Sequence, residues 1–408
     1  MNKLCSIILF ILSIISSLAF AQEDSVLPYN MGVEALQQDR LDDAIDLFSK
    51  SLQVDPTDHL ALNNRGVAYK RKGQYEKAIA DYTRALTLKP DYYYAQVNRG
   101  IARFRNEDLE GARADLEACA KLRKKDAIIY TTLGLIYQRE KNYDRALSNL
   151  KEAVTLNRNN KKAYIAMGEI LESQKNYEKA LDYYMKASSI EGKKKDQTEV
   201  ESKIDSLRKI YSHELYLQGL ENYREGNFKN ALNLWNNAAR LEPENVQIIR
   251  DRGLTLYKMG QYQKALDDFN TALEREPHRG EIYRIRADTL YKLKQSEKAL
   301  ADYAKALELN PQDAIGFNNR GLVFHESGDL DKAISDYSKA IALDSSYPAF
   351  YENRALIYVA KSQYKNAVED YQSAIKYLAD EKLKAVLKQK VSALREMETG
   401  SDSSAVTQ

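Results

Sequence analysis

The chain is 408 residues long and close to electroneutral, with 61 Lys and Arg against 59 Asp and Glu for a formal net charge of +2. That balance gives no general drive toward nucleic acid or an anionic membrane. Four histidines and two cysteines, far apart in sequence, leave no pair at metal-ligand spacing, so no metal or cofactor is expected.

Met1, Asn2 and Lys3 precede an apolar run from Leu4 to Phe20, closed by Ala19-Phe20-Ala21. One positive charge, a short apolar core and an A-x-A site predict a signal peptide over residues 1–21, with an uncleaved anchor as the alternative. Cys5 lies ahead of the apolar core, so it is not a lipoprotein cysteine, and no later stretch approaches membrane length. The mature chain keeps one cysteine, Cys119, at a small interhelical position where a buried, inert thiol is expected.

A 34-residue period then takes over. A small residue recurs at Gly32, Gly66, Gly100, Gly134 and Gly168 and, after one longer gap, at Gly219, Gly253, Ala287, Gly321 and Ala355. An Ala stands twelve residues after each of them, and four further on comes a large residue, from Phe48 and Tyr82 to Tyr337 and Tyr371. Small residues let helices approach and large ones fill the gap between them. Pro56, Pro90, Pro243, Pro277 and Pro311 close their units at one position, where a helix cannot continue. Each unit is therefore two helices and two turns.

These residues resemble the tetratricopeptide repeat, and segments such as GVAYKRKGQYEKAIADYTRALTLKP from Gly66 match its signature almost throughout. Repeats 3 to 5, 9 and 10 depart from it at the terminal proline. The resemblance implies an all-α, right-handed superhelical solenoid of about ten helix-turn-helix repeats. It also implies that partner segments lie along a concave groove lined by the first helix of each repeat. Chaperone-binding members hold a terminal carboxylate with an Asn directly after the small residue; that position is never Asn here, so such a clamp is not expected.

Repeats 1 to 5 are assigned to residues 25–194 and repeats 6 to 10 to 212–381. Between them, residues 195–211 carry Val200, Ile204, Leu207 and Tyr211 at helical spacing, which reads as an inserted helix that can fuse with repeat 6. It serves as a spacer covering the first five repeats, as a joint, or as both. A stripe of Leu383, Val386, Leu387, Val391 and Leu394 predicts a capping helix over 382–397, and the small polar residues 398–408 predict a disordered tail.

Arg directly before the small residue occurs in six repeats, and the same six carry Asp sixteen residues later: Arg65 and Asp81, Arg99 and Asp115, Arg252 and Asp268, Arg286 and Asp302, Arg320 and Asp336, Arg354 and Asp370. The two sites face each other in a helix hairpin, so the sequence predicts structural ion pairs, although recent duplication gives the same pattern. Five residues after the small position runs a basic ladder, Arg71, Arg105, Arg139, Arg224, Lys258 and Lys292, with Phe104, Tyr223, Tyr257 and Tyr291 one residue earlier. Rings beside cations suit acidic peptide segments with apolar anchors; the same cations in a last helical turn also serve as helix caps.

No remaining segment is long enough for a separate catalytic domain, and no phosphate loop, nucleophile elbow or zinc-protease motif occurs. The expectation is a non-enzymatic scaffold of the cell envelope, exported to a bacterial periplasm or the outer membrane, which binds protein or peptide segments and no nucleic acid. A secretory-lumen chaperone adaptor, or the recognition subunit of an enzyme whose catalytic chain is separate, are the alternatives.

Overall fold

The computed structural model describes residues 26–122, 125–192 and 194–405, with side chains as far as residue 398. The expected signal peptide lies outside these residues. All regular structure among them is helical: α1 (26–37), α2 (Leu41–Val54), α3 (His59–Arg71), α4 (Tyr75–Leu88), α5 (Tyr93–Arg105), α6 (Leu109–Leu122), α7 (Ala127–Arg139), α8 (Tyr143–Leu156), α9 (Lys161–Ser173), α10 (Tyr177–Ser188) and α11 (Lys194–Arg224). There follow α12 (Phe228–Leu241), α13 (Val246–Lys258), α14 (Tyr262–Arg275), α15 (Gly280–Lys292), α16 (Ser296–Leu309), α17 (Ala314–Glu326), α18 (Leu330–Leu343), α19 (Pro348–Ala360), α20 (Tyr364–Tyr377) and α21 (Glu381–Ala405). They form two compact units, divided between Leu207 and Arg208.

Local chemistry sets the helix ends. Asp58 opens α3 by accepting from the amides of Leu60 and Ala61 at 2.8 and 3.1 Å, which satisfies two donors the first turn leaves free. At the other end Gly73 turns left-handed (φ 77°) and Gln74 N–H returns to Tyr69 O at 2.9 Å, freeing the chain to start α4.

Within a repeat the hairpin closes on the small residue. A Cβ on Gly66 would lie 2.7 Å from the Tyr82 ring, and one on Gly168 2.6 Å from Tyr184, so bare backbone lets the second helix approach with its large residue fully buried. Between repeats, first helices touch in succession, α3 on α5, α5 on α7 and α7 on α9 in one unit and α13 on α15, α15 on α17 and α17 on α19 in the other. Successive second helices make no comparable contact, so first helices build the inner wall of each unit.

α11 is one helix from Lys194 to Arg224, fusing the inserted segment to the first helix of repeat 6. Its first turns bury Val200, Ile204 and Leu207, and bind repeat 5 through Lys203 to Glu169 at 2.8 Å and Gln197 to the Ser188 carbonyl at 2.8 Å. Farther along, Ser212 donates to the Ala238 carbonyl at 3.2 Å within the second unit.

The C-terminal expectation needs correction at two points. Leu387, Val391 and Leu394 pack on Tyr351, Val368 and Tyr371, but Leu383 and Val386 are exposed. Val386 stands one residue, or about 100°, around the axis from Leu387, which turns it off the packed face. The helix also runs to Ala405 instead of ending near 397. No proline interrupts residues 398–405, and each added residue extends an existing ladder without a new nucleation cost.

Candidate partner-binding face

The structure brings all six Arg–Asp pairs together as two-point forks. Arg65 reaches Asp81 at 2.9 and 2.8 Å, Arg99 reaches Asp115 at 2.9 and 2.6 Å, and Arg252 reaches Asp268 at 2.9 and 2.6 Å. Arg286–Asp302, Arg320–Asp336 and Arg354–Asp370 repeat the geometry at 2.6 to 2.8 Å. The carboxylates are buried, and the hydrogen bonds that Arg65 donates to Asp81 raise the Arg65 pKa against the opposing effect of burial. A third contact was missed in the sequence. The free Nη1 of Arg65 donates to Ser49 Oγ at 3.1 Å, that of Arg286 to Asn270 at 2.9 Å and that of Arg354 to Ser338 at 2.8 Å, each acceptor lying on the second helix of the preceding repeat. These three clips thus each join three helices, and all six belong to the framework, leaving other groups to face a partner.

The six ladder cations are exposed and divide between the units: Arg71, Arg105 and Arg139 lie in the first and Arg224, Lys258 and Lys292 in the second. Arg71 Nη1 donates to the Leu36 carbonyl at 3.0 Å, capping the first helix of the repeat before it, and Arg139 meets Glu107 at 2.5 Å. Arg139 also lies 4.8 Å from the Phe104 ring centre, and Arg105 lies 6.0 Å from it on its own helix. The rings of the second unit are drawn into packing. Tyr223 leans on Phe228 and Trp235, Tyr257 on Tyr262, and Tyr291 donates to Glu326, with burial and that bond pushing its hydroxyl up to about 12.

The inner walls of the two units differ in chemistry. In the first, two adjoining pockets of about 460 and 510 Å³ share Phe104, Arg105 and Leu135. The first adds Ile101, Ile128, Lys161 and Lys162 and has no carboxylate in its lining. The second adds Arg139 and Lys141, and its one acid, Glu169, is already held by Lys203 at 2.8 Å. Both pockets therefore combine an apolar floor with more cations than acids in their lining.

In the second unit the corresponding wall neutralises itself. Arg250 spans Asp251 and Glu281 at 2.8 and 2.9 Å, and Arg284 lies 2.9 Å from Asp313 and 3.7 Å from Asp288. Asn319 donates to Asp288 at 3.0 Å, and burial raises that carboxyl above its ordinary range.

A further row in the first unit was not singled out from the sequence. Six residues before the small position stand Val26, Leu60, Tyr94 and Ile128, all exposed, in four successive repeats. One residue after the small position come Val33, Val67, Ile101 and Leu135, all half-buried. The signal was available, because both rows keep the 34-residue period.

Paired helices in register, stacked so that first helices build one wall, define the chain as a helical-repeat protein of the kind that acts as a protein–protein interaction scaffold. Tetratricopeptide repeat models match residues 59–92, 125–191, 223–288 and 348–377, and TPR repeat models match 287–328 and 321–361. The chain belongs to the tetratricopeptide repeat family. No curated protein matches it. Among solved structures, yeast Tom70 is similar at 17% identity over 93% of this chain and 97% of that one, with a TM-score of 0.41. MamA from Desulfovibrio magneticus is similar at 23% over 41% and 94% (TM-score 0.39). A thermophilic TPR protein of Thermus thermophilus is similar at 22% over 45% and 98% (TM-score 0.38).

Proposed function

We propose that the protein is an exported, non-catalytic scaffold of the cell envelope that holds acidic partner segments with apolar anchors against its first-helix walls. One observation carries the reading: two adjoining pockets with an apolar floor and more cations than acids, Arg105, Lys161 and Lys162 among the cations, in a wall built from first helices. Such a surface attracts carboxylates while its floor rewards apolar burial. Export rests on the charged start, apolar run and A-x-A site of residues 1–21, and the absence of any N-x-[ST] acceptor is consistent with a bacterial periplasm.

The test is affinity capture by residues 22–408 from the native envelope fraction, beside a variant with Arg71, Arg105, Arg139, Arg224, Lys258 and Lys292 all changed to Gln. A partner lost only in the variant supports the reading. A partner retained by both places binding elsewhere on the molecule, and recovery of the full-length chain from the cytoplasmic fraction alone overturns export.

A further inference from the structure

The two apolar rows of the first unit and its basic ladder lie on one face of each first helix. Residues six before, one after and five after the small position fall within about 40° of one another around the axis. They span about 16 Å along it, the two apolar rows being about 10 Å apart. In repeats 2, 3 and 4 the order from edge to edge is exposed apolar, half-buried apolar, cation. Repeat 5 breaks the pattern with Lys162 and Glu169, and no repeat of the second unit has all three with an exposed apolar edge.

The outer row is unusual in its exposure. Leu60, Tyr94 and Ile128 are 41, 56 and 60% exposed, and Val26 continues the row at 50%. Isolated apolar residues on a surface need no explanation, whereas four in register on neighbouring helices make a continuous patch. Because α1 touches α3 through the Asn64–Tyr29 and Arg71–Leu36 hydrogen bonds, α3 touches α5 and α5 touches α7, successive rungs are about 8 to 10 Å apart, so the patch is a track about 25 to 30 Å long.

Its width decides what fits. An extended strand is about 5 Å across and covers one of the two apolar rows. An α-helix is about 10 to 12 Å across and carries an apolar stripe at least 100° wide, which covers both. Its side chains seven residues apart are about 10.5 Å apart, close to the rung spacing, and about 20 residues reach the length of the track. The cations along one edge then ask for acids along one flank of that helix. Arg105 faces that edge with no ion pair of its own among the described residues, and the Arg139–Glu107 pair is exposed and readily exchanged.

We infer that the first unit binds an amphipathic helix of about 20 residues with an acidic flank, laid across the first helices of repeats 1 to 4. This rests on the proposal that first-helix walls hold partner segments, and it adds the conformation, length and charged edge of the bound segment. The two pockets, at the third and fourth rungs, receive its largest apolar side chains.

The test uses a fluorescein-labelled synthetic peptide of about 21 residues with leucines three and four apart and glutamates along one flank. Two companions carry either two central prolines or lysines in place of the glutamates. Each is titrated into residues 22–408, into Ile128→Glu, and into Ile315→Glu as a control in the second unit, with anisotropy giving the Kd and circular dichroism the peptide's helicity. The expected result is binding with a gain of helicity, weakened at least about tenfold by the prolines, the lysines or Ile128→Glu and unchanged by Ile315→Glu. Ile128 is exposed, so its replacement leaves the core intact. Equal binding of the proline peptide means an extended occupant and overturns the helix while leaving the wall reading in place. Binding indifferent to Ile128→Glu overturns the site. A dimer in sedimentation that Ile128→Glu dissolves gives the track to a second copy and also overturns it. If no peptide binds and Ile128→Glu captures the same envelope partner as wild type, both this inference and the wall reading fail.

Discussion

A methyl group on Gly219 would overlap Nε1 of Trp235 and lie 2.7 Å from its Cδ1, and that indole is the largest fully buried side chain of the protein. The ring cannot slide away freely, because Nε1 donates to the Tyr216 carbonyl at 3.2 Å. Gly219→Ala is therefore expected to cost about 1 to 3 kcal/mol by overpacking. Trp235 is the only tryptophan, so its fluorescence follows unfolding of the second unit directly. An unchanged urea midpoint would show that the hairpin has slack.

The Arg65–Asp81 clip gives a second prediction. The Asp81 side chain is 9% exposed and the Arg65 side chain 21%, so removing one partner strands a charge that water only partly reaches. Arg65→Met or Asp81→Leu alone is expected to cost about 2 to 4 kcal/mol, and the double mutant less than the sum by at least about 1 kcal/mol. Urea unfolding of the four proteins measures it. Strict additivity would remove the clip as an energetic unit.

Lys70 supplies a pH dependence. Its ammonium donates to Asn98 Oδ1 at 2.7 Å, and burial, with the Arg71 charge adding to it, lowers its pKa from 10.5 to about 8. Between those values the unfolded chain holds a proton that the folded chain has released, so this group makes stability rise with pH across that window. Relative to Lys70→Met, the wild type is expected to gain on the order of 1 to 3 kcal/mol between pH 7 and 10.5. Parallel pH profiles of the two proteins would refute this.

Cys119 is fully buried, and burial pushes its thiol up to about 11. Alkylation at pH 8 is expected only through opening of the first unit, so its rate should rise steeply with urea. Mass spectrometry of iodoacetamide-treated protein reads this. Rapid labelling without denaturant would contradict the packing of repeat 3.

Helix pairing was legible because one period controls both the small and the large residue of every hairpin, and the clip because Arg and Asp are present or absent together. The reach of Arg65 to Ser49 was not, since acceptors at that site vary among Ser, Thr and Asn and carry no common signature. The outer apolar row escaped notice for a related reason: Val26, Leu60, Tyr94 and Ile128 differ in shape, and an apolar residue at the start of a helix looks ordinary until its neighbours are known to be exposed too. The basic ladder looked uniform because spacing alone cannot show that the second unit's wall pairs its own charges through Arg250 and Arg284.

Repeats 4 and 5 lack the clip and set Leu133 and Met167 into an apolar cluster shared with repeat 3. Both kinds of joint lose strength on cooling, the apolar one because its driving force weakens and the clip because stripping water from its charges costs more. Chilling thus loosens clipped and unclipped repeats together, the stretch carrying both pockets included.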